Sequence, residues 1–202
     1  MAILFHGNNL TFIHIPKCAG TSVAEWAKSV PGSKNQIKHA KMNRTAKIWT
    51  EHGMFFTIVR NPWDRAVSLY HYVGQLATGQ IPCRVRYKQF QIWQELYTAG
   101  LCAFLQALKR QDHNVDIPDR EWQIWEPQSA WLDGPHECII LRYENLTHDF
   151  KQIQDLLGCH EDLPLENASQ HDDYATYYDK ESIQLVADIW APDIEKFGYS
   201  AP

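Results

Sequence analysis

The chain has 202 residues and a mass of 23.5 kDa, with 45% hydrophobic and 21% charged residues, which suits one compact domain over 1–202 with a large buried core and excludes disordered or collagen-like chains. Lys and Arg number 19 against 24 Asp and Glu, a net charge of −5 without any long basic run, so a general nucleic-acid partner is not expected and any anion site must be built locally. No apolar run approaches the roughly 20 residues of a membrane helix, and His6, Gly7, Asn8 and Asn9 interrupt the start before a signal-peptide core forms. The expectation is a soluble, cytoplasmic protein with no membrane partner.

The cysteines agree with a reducing compartment. Cys18, Cys83, Cys102, Cys138 and Cys159 are odd in number and form no C-x-x-C pair, against a disulfide framework or a structural zinc site. The sequons at Asn9, Asn43, Asn145 and Asn167 would matter only in a secreted chain and are read as chance.

In chain order, residues 10–15 (LTFIHI) form a short apolar, β-branched run ending at Pro16, which predicts a buried strand. The loop PKCAGTS follows at once. From Ser22, a good N-cap, the apolar Val23, Trp26, Ala27 and Val30 recur at helical spacing, predicting a helix to about Pro31-Gly32. Residues 33–53 are polar and read as loop with a short helix around 45–51. The run MFFTIV at 54–59 has the continuous apolarity of a parallel strand covered on both faces. It ends in Arg60; Asn61 then caps a helix with Pro62 at its first position and Trp63, Ala66, Val67 and Tyr70 on one side.

Residues 74–137 are rich in Trp, Gln and charge, with helices predicted at 89–110 and 119–132, as a mostly helical insertion. Trp93, Trp122, Trp125 and Trp131 are read there as core, and Arg84, Arg86 and Lys88 as a basic face open to an anionic acceptor or to solvent. CIIL at 138–141 is a third buried-strand candidate, followed by a helix over 145–157 that stops at Gly158. The alternation predicts an α/β fold with a mainly parallel sheet, in which ligands bind at the carboxyl ends of strands.

Two sites meet that rule. In Lys17-Cys18-Ala19-Gly20-Thr21-Ser22, small residues let backbone N–H groups curl around an anion, the helix start adds positive potential, and Lys17 supplies a full charge. The order differs from G-x-x-x-x-G-K-[ST], where Lys comes last. At the second site Arg60 ends a strand, and Ser68 lies seven residues beyond Asn61 on the same helix face. Arg and a hydroxyl suit a second phosphate, although Arg60 could instead pair with Asp64. His14, on a buried strand, is read as structural. No histidine has H-E-x-x-H spacing, so no metal is expected.

The segments FIHIPKCAGTS and FTIVRNPWDRAVSLY closely resemble the two signature segments of the sulfotransferases, specifically the carbohydrate sulfotransferase branch. LRYENLTHDF, LPLENAS and YYDKESIQLVADIWAPDIEKFGY resemble that branch's C-terminal pattern, in the same order. The resemblance covers roughly 10–73 and 138–199. It implies a three-layer sandwich of the P-loop nucleotide-kinase type and transfer of a sulfuryl group from 3′-phosphoadenosine 5′-phosphosulfate (PAPS) to an acceptor hydroxyl, on a glycan or small molecule, with 3′-phosphoadenosine 5′-phosphate (PAP) as product and no metal. On it, Lys17, Cys18, Ala19, Gly20, Thr21 and Ser22 hold the 5′-phosphosulfate, Arg60 and Ser68 hold the 3′-phosphate, and Lys17 also stabilises the leaving oxygen. Cys18 stands where many members carry Thr, and its thiol is a weaker donor.

An acceptor alcohol needs a general base, and the resemblance implies His39, between the loop helix and the second strand. His52 in the same interval, Glu51 and Glu25 stay open. Two other functions share the phosphate loop: a P-loop kinase, and a PAPS- or PAP-binding module without turnover. Acceptor recognition is expected in 74–137.

Overall fold

The computed structural model describes residues 2–37, 40–48, 53–81, 87–110, 124–164 and 172–202. The elements in chain order are β1 (Ala2–Phe5), β2 (Leu10–Ile13), α1 (Gly20–Trp26), β3 (Ser33–Ile37), α2 (Met42–Ile48), β4 (Met54–Val59), α3 (Pro62–Ala77), α4 (Tyr87–Ala99), α5 (Leu101–Arg110), β5 (Cys138–Arg142), α6 (Leu146–Asp149), α7 (Lys151–Leu157), α8 (Lys180–Ile189) and α9 (Ala191–Phe197). The chain divides into two compact units, Met1–Arg60 with Gln128–Ala168, and Asn61–Pro127 with Ser169–Pro202.

The first unit holds a five-stranded sheet in the order β3-β1-β2-β4-β5. β2, β4 and β5 pair in parallel, whereas β1 is antiparallel to both β2 and β3. Four of the five strands therefore run one way, as the strand–helix alternation predicts, and only β1 opposes them. β2 and β4 are where sequence places them because their apolar runs are buried throughout, apart from Met54 at the start of β4. Thr57, the one polar residue in β4, is buried with its hydroxyl donating to Ile13 O at 2.8 Å, so it costs little. Aromatic contacts complete this core: Phe12 and Phe56 lie 5.0 Å apart, and Trp26 of α1 meets Phe150 edge-on at 4.8 Å.

Two strands are absent from the sequence reading. β1 forms a hairpin with β2 across a short 3-10 turn at His6–Asn8, closed by Asn9 at φ 49°, a left-handed conformation that Asn tolerates. β3 falls within the stretch read as loop, since an edge strand needs no apolar signature. β5 corrects the third expected buried strand: among the described residues it pairs with β4 alone, and Ile140 is 42% exposed. Apolar side chains at a sheet edge look the same in sequence as those at its centre. The predicted helix over 145–157 is broken into a 3-10 turn at Tyr143–Asn145, α6 and α7, and ends at Gly158 with φ 62°.

The second unit is helical, taking in α3, the middle segment and the C-terminal helices. Asn61 Oδ1 accepts from Trp63 N at 3.0 Å and Pro62 sits in the first turn, the expected cap, worth about 1 kcal/mol. The core gathers Trp63, Tyr70, Trp93, Phe104, Trp125 and Trp190. Several polar edges are satisfied, with Trp190 Nε1 donating to Trp125 O at 2.9 Å, Tyr70 OH to Tyr97 O at 2.7 Å and Trp63 Nε1 to Ile183 O at 3.2 Å, whereas the Trp125 indole N–H is buried without a hydrogen-bond partner among the described residues. The core reading of Trp93 and Trp125 holds here, and Trp131 is buried in the first unit; Trp122, Arg84 and Arg86 lie outside the described residues. Gly100, at φ 96°, divides the predicted 89–110 helix into α4 and α5. In place of the helix expected over 119–132, the described part contains only a short 3-10 turn at Gln128–Trp131. Buried Arg65 explains the order of that stretch: its guanidinium donates to Ile124 O at 2.8 Å and Glu126 O at 3.2 Å.

Candidate functional site

The loop after β2 is built on unusual backbone. Lys17 has φ 68° and Ala19 φ 54°, left-handed values that cost a residue with a Cβ of the order of 1–3 kcal/mol. Left-handed turns of this kind direct successive N–H groups to one side, as an anion requires. The loop is pinned by the Cys18 N–H donating to Ile15 O at 3.4 Å. α1 begins at Gly20 with Ala19 as its cap residue, not at Ser22, and its first intrahelical bond runs from Val23 N to Ala19 O at 3.2 Å. Gly20, Thr21 and Ser22 thus form the opening turn, where N–H groups precede the helical ladder.

Gly20 has a second reason to be glycine. A Cβ there would stand 1.9 Å from His14 Cδ2, so the imidazole occupies the space a side chain would need. His14 in turn stacks on Phe12, with ring centroids 6.1 Å apart. It packs as a structural residue behind the loop.

Lys17 and Arg60 come together at the carboxyl ends of the neighbouring strands β2 and β4. Arg60 Nη1 donates to Lys17 O at 3.3 Å. Burial, and then the Arg60 guanidinium, hold the Lys17 ammonium down to a pKa of about 8, with the Cys18 thiol acting in the opposite sense. Arg60 is itself buried, at 6% exposure, with Cζ lying 4.1 Å from the centroid of the Tyr143 ring. Two cations held this closely repel each other. A polyanion would relieve that repulsion.

The lowered pKa sets a sign. Below pH 8 Lys17 is charged and ready for an anion; above it the free protein must take up a proton to present the ammonium. Inorganic pyrophosphate is therefore expected to bind more weakly as pH rises beyond about 8, by up to roughly tenfold per unit. Lys17→Arg, charged throughout, should lose that added slope in a calorimetric titration. Matching profiles for the two proteins would refute the coupling.

The other sequence candidates divide. Cys18 is buried with its thiol donating to Gln128 Oε1 at 3.2 Å, and Ser22 is buried beside an exposed Thr21. Ser68, 2% exposed, lies on α3 in the helical unit. Asp64, the alternative partner of Arg60, also lies on α3, where its charge adds to the burial that pushes the Tyr178 hydroxyl pKa up. His39, Glu51 and His52 lie outside the described residues. Glu25 is exposed on α1 and paired with Lys28 Nζ.

Sequence reasoning missed Gln128 and Tyr143. A glutamine on a 3-10 turn and a tyrosine after a strand carry no motif of their own. Only the closeness of 128 to 60 and 18, across more than 60 intervening residues in the nearer case, reveals them. Among the described residues no group of three or more His, Cys, Asp or Glu is placed to hold a metal ion, and no helix is long and apolar enough to cross a membrane.

The model of the sulfotransferase family matches residues 2–200. No curated protein and no solved structure matches the chain.

Proposed function

The chain belongs to the sulfotransferase family, and from that premise we propose that it transfers the sulfuryl group of PAPS to an acceptor hydroxyl, of carbohydrate type, with PAP as product. The observation that carries this reading is the pair of cations, Lys17 and Arg60, at the ends of adjacent parallel strands. One phosphate would need one of them; a nucleotide with anionic groups at both its 5′ and 3′ positions uses both. The left-handed loop at Lys17 and Ala19 offers backbone donors of the right chemistry for the 5′ end.

In this reading the loop from Lys17 to Ser22 binds the 5′-phosphosulfate, and Arg60 with Ser68 binds the 3′-phosphate. PAPS supplies an activated sulfuryl group and a phosphate leaving group. Lys17 neutralises charge on the oxygen that leaves as the bond to sulfur breaks, while the acceptor oxygen forms the new bond and yields its proton to a base, assigned to His39. No metal enters. The strand–loop–helix at β2 and α1 supports a P-loop-like, three-layer architecture within one functional domain, with the segment 74–137 on the acceptor side. The cytoplasmic setting rests on the cysteine pattern of the sequence, odd in number and without a C-x-x-C pair.

Thermal shifts in EDTA test the donor. PAP at about 100 times its dissociation constant should add about 2.7 kcal/mol, raising the midpoint by roughly 5–10 °C in a chain of this size. Arg60→Ala should weaken PAP by about 10–100-fold, the worth of a charged hydrogen bond, and leave the analogue without the 3′-phosphate within about twofold. Equal weakening of both ligands would reject the 3′ assignment. Stabilisation only by ATP with magnesium would replace the reading with a kinase. Stabilisation by PAP without sulfuryl transfer to any hydroxyl acceptor would leave a binding module.

A further inference from the structure

Gln128 is fully buried, at 0% exposure, and hydrogen-bonds to both segments of the site. Its Oε1 accepts from the Arg60 N–H at 2.8 Å and its Nε2 donates to the Arg60 carbonyl at 2.8 Å. The same Oε1 accepts from the Cys18 thiol at 3.2 Å. The side-chain amide thus does for Arg60 what a neighbouring strand does for a residue within a sheet, satisfying both main-chain groups at once. It does so at the residue just beyond β4, where the parallel ladder to β5 ends with the pair Val59 and Arg142.

The chemistry is specific to glutamine. Glutamate keeps the acceptor and lacks the donor, asparagine withdraws the amide by about one C–C bond, ~1.5 Å, and an apolar side chain offers the Arg60 main chain neither group. One oxygen serves both Arg60 and Cys18, so the strand end and the loop are tied through Gln128 as well as through the Arg60 side chain. The Tyr143 ring and the Lys17 carbonyl then hold the guanidinium itself.

We propose that Gln128 is a positioning residue for the donor: it fixes Arg60 relative to the Lys17–Ser22 loop and thereby sets the spacing at which the two anionic ends of one nucleotide are accepted. This rests on the PAPS reading above. Gln128 touches no reacting atom and acts through Arg60.

A double-mutant cycle on PAP affinity tests it, with adenosine 5′-monophosphate as the ligand lacking a 3′-phosphate. Gln128→Met, close in volume and without amide hydrogen bonds, is expected to weaken PAP about tenfold and the monophosphate by less than about threefold. In an Arg60→Ala background the same change should alter PAP affinity by less than about twofold, since its route of action is gone. A purely structural role would instead lower affinity for both ligands together, with additive effects in the cycle, and either result overturns the proposal. If Gln128→Met does not fold, Gln128→Asn keeps an amide but cannot close the ring, and the same cycle is read with it. Wild-type protein that fails to bind PAP would overturn the donor reading and this inference with it; wild-type binding with Gln128 variants unchanged would overturn this inference alone.

Discussion

Replacing Lys17 by alanine is expected to lower turnover at saturating donor by about 10²–10³-fold, the loss that follows removal of one preorganised group at a developing negative charge. The geometry gives the reason. Lys17 is half-buried in a left-handed turn beside Arg60, and its ammonium is held to a pKa of about 8 before any ligand arrives. A cation already removed from water has little solvation left to lose when charge develops on a leaving oxygen beside it.

The same burial makes the ammonium a cost to the fold. Its folded-state pKa lies below its ordinary value, so this cost is fully present below pH 8 and is relieved as pH rises from about 8 toward 10.5. Lys17→Ala should therefore have a thermal midpoint at or above that of the wild type at neutral pH while losing activity. Rapid-quench single turnovers with saturating donor separate the two effects. A rate within about threefold of wild type would remove Lys17 from the chemical step.

His39→Ala carries the other large effect, a fall in rate of about 10²–10⁴-fold with donor affinity near normal, because loss of a general base slows proton removal and leaves ground-state binding of the nucleotide intact. Turnover surviving in His39→Ala but lost in His52→Ala would move the base to His52. Glu51 is the carboxylate to test next, ahead of Glu25, whose exposed side chain on α1 is engaged by Lys28.

Much of the site was legible in the sequence because its chemistry is local. Lys17 to Ser22 and Arg60 lie within single short stretches that follow apolar strand-forming runs, and residues directly after parallel strands gather at one edge of a sheet whatever the rest of the chain does. The Asn61-Pro62 start of α3 and the Gly158 stop of α7 were equally readable, since caps and left-handed terminators depend on one or two residues. The left-handed backbone at Lys17 and Ala19 was not, because neither residue prefers it. Packing imposes it.

The sequence by itself determined the parallel β2 and β4, the positions of the two cations at their ends, and the family to which the chain belongs. Apolar runs, caps and signature segments are properties of neighbouring residues. The tertiary structure alone decided that β1 opposes the other strands, that β5 lies at an edge with Ile140 exposed, that Gly20 leaves room for the His14 ring, and that Gln128 binds Arg60 and Cys18 together. Each of these depends on which segments meet after the chain has folded. A buried amide between two distant segments obeys the demand for satisfied polar groups, and nothing in its sequence neighbourhood states where its partners will be.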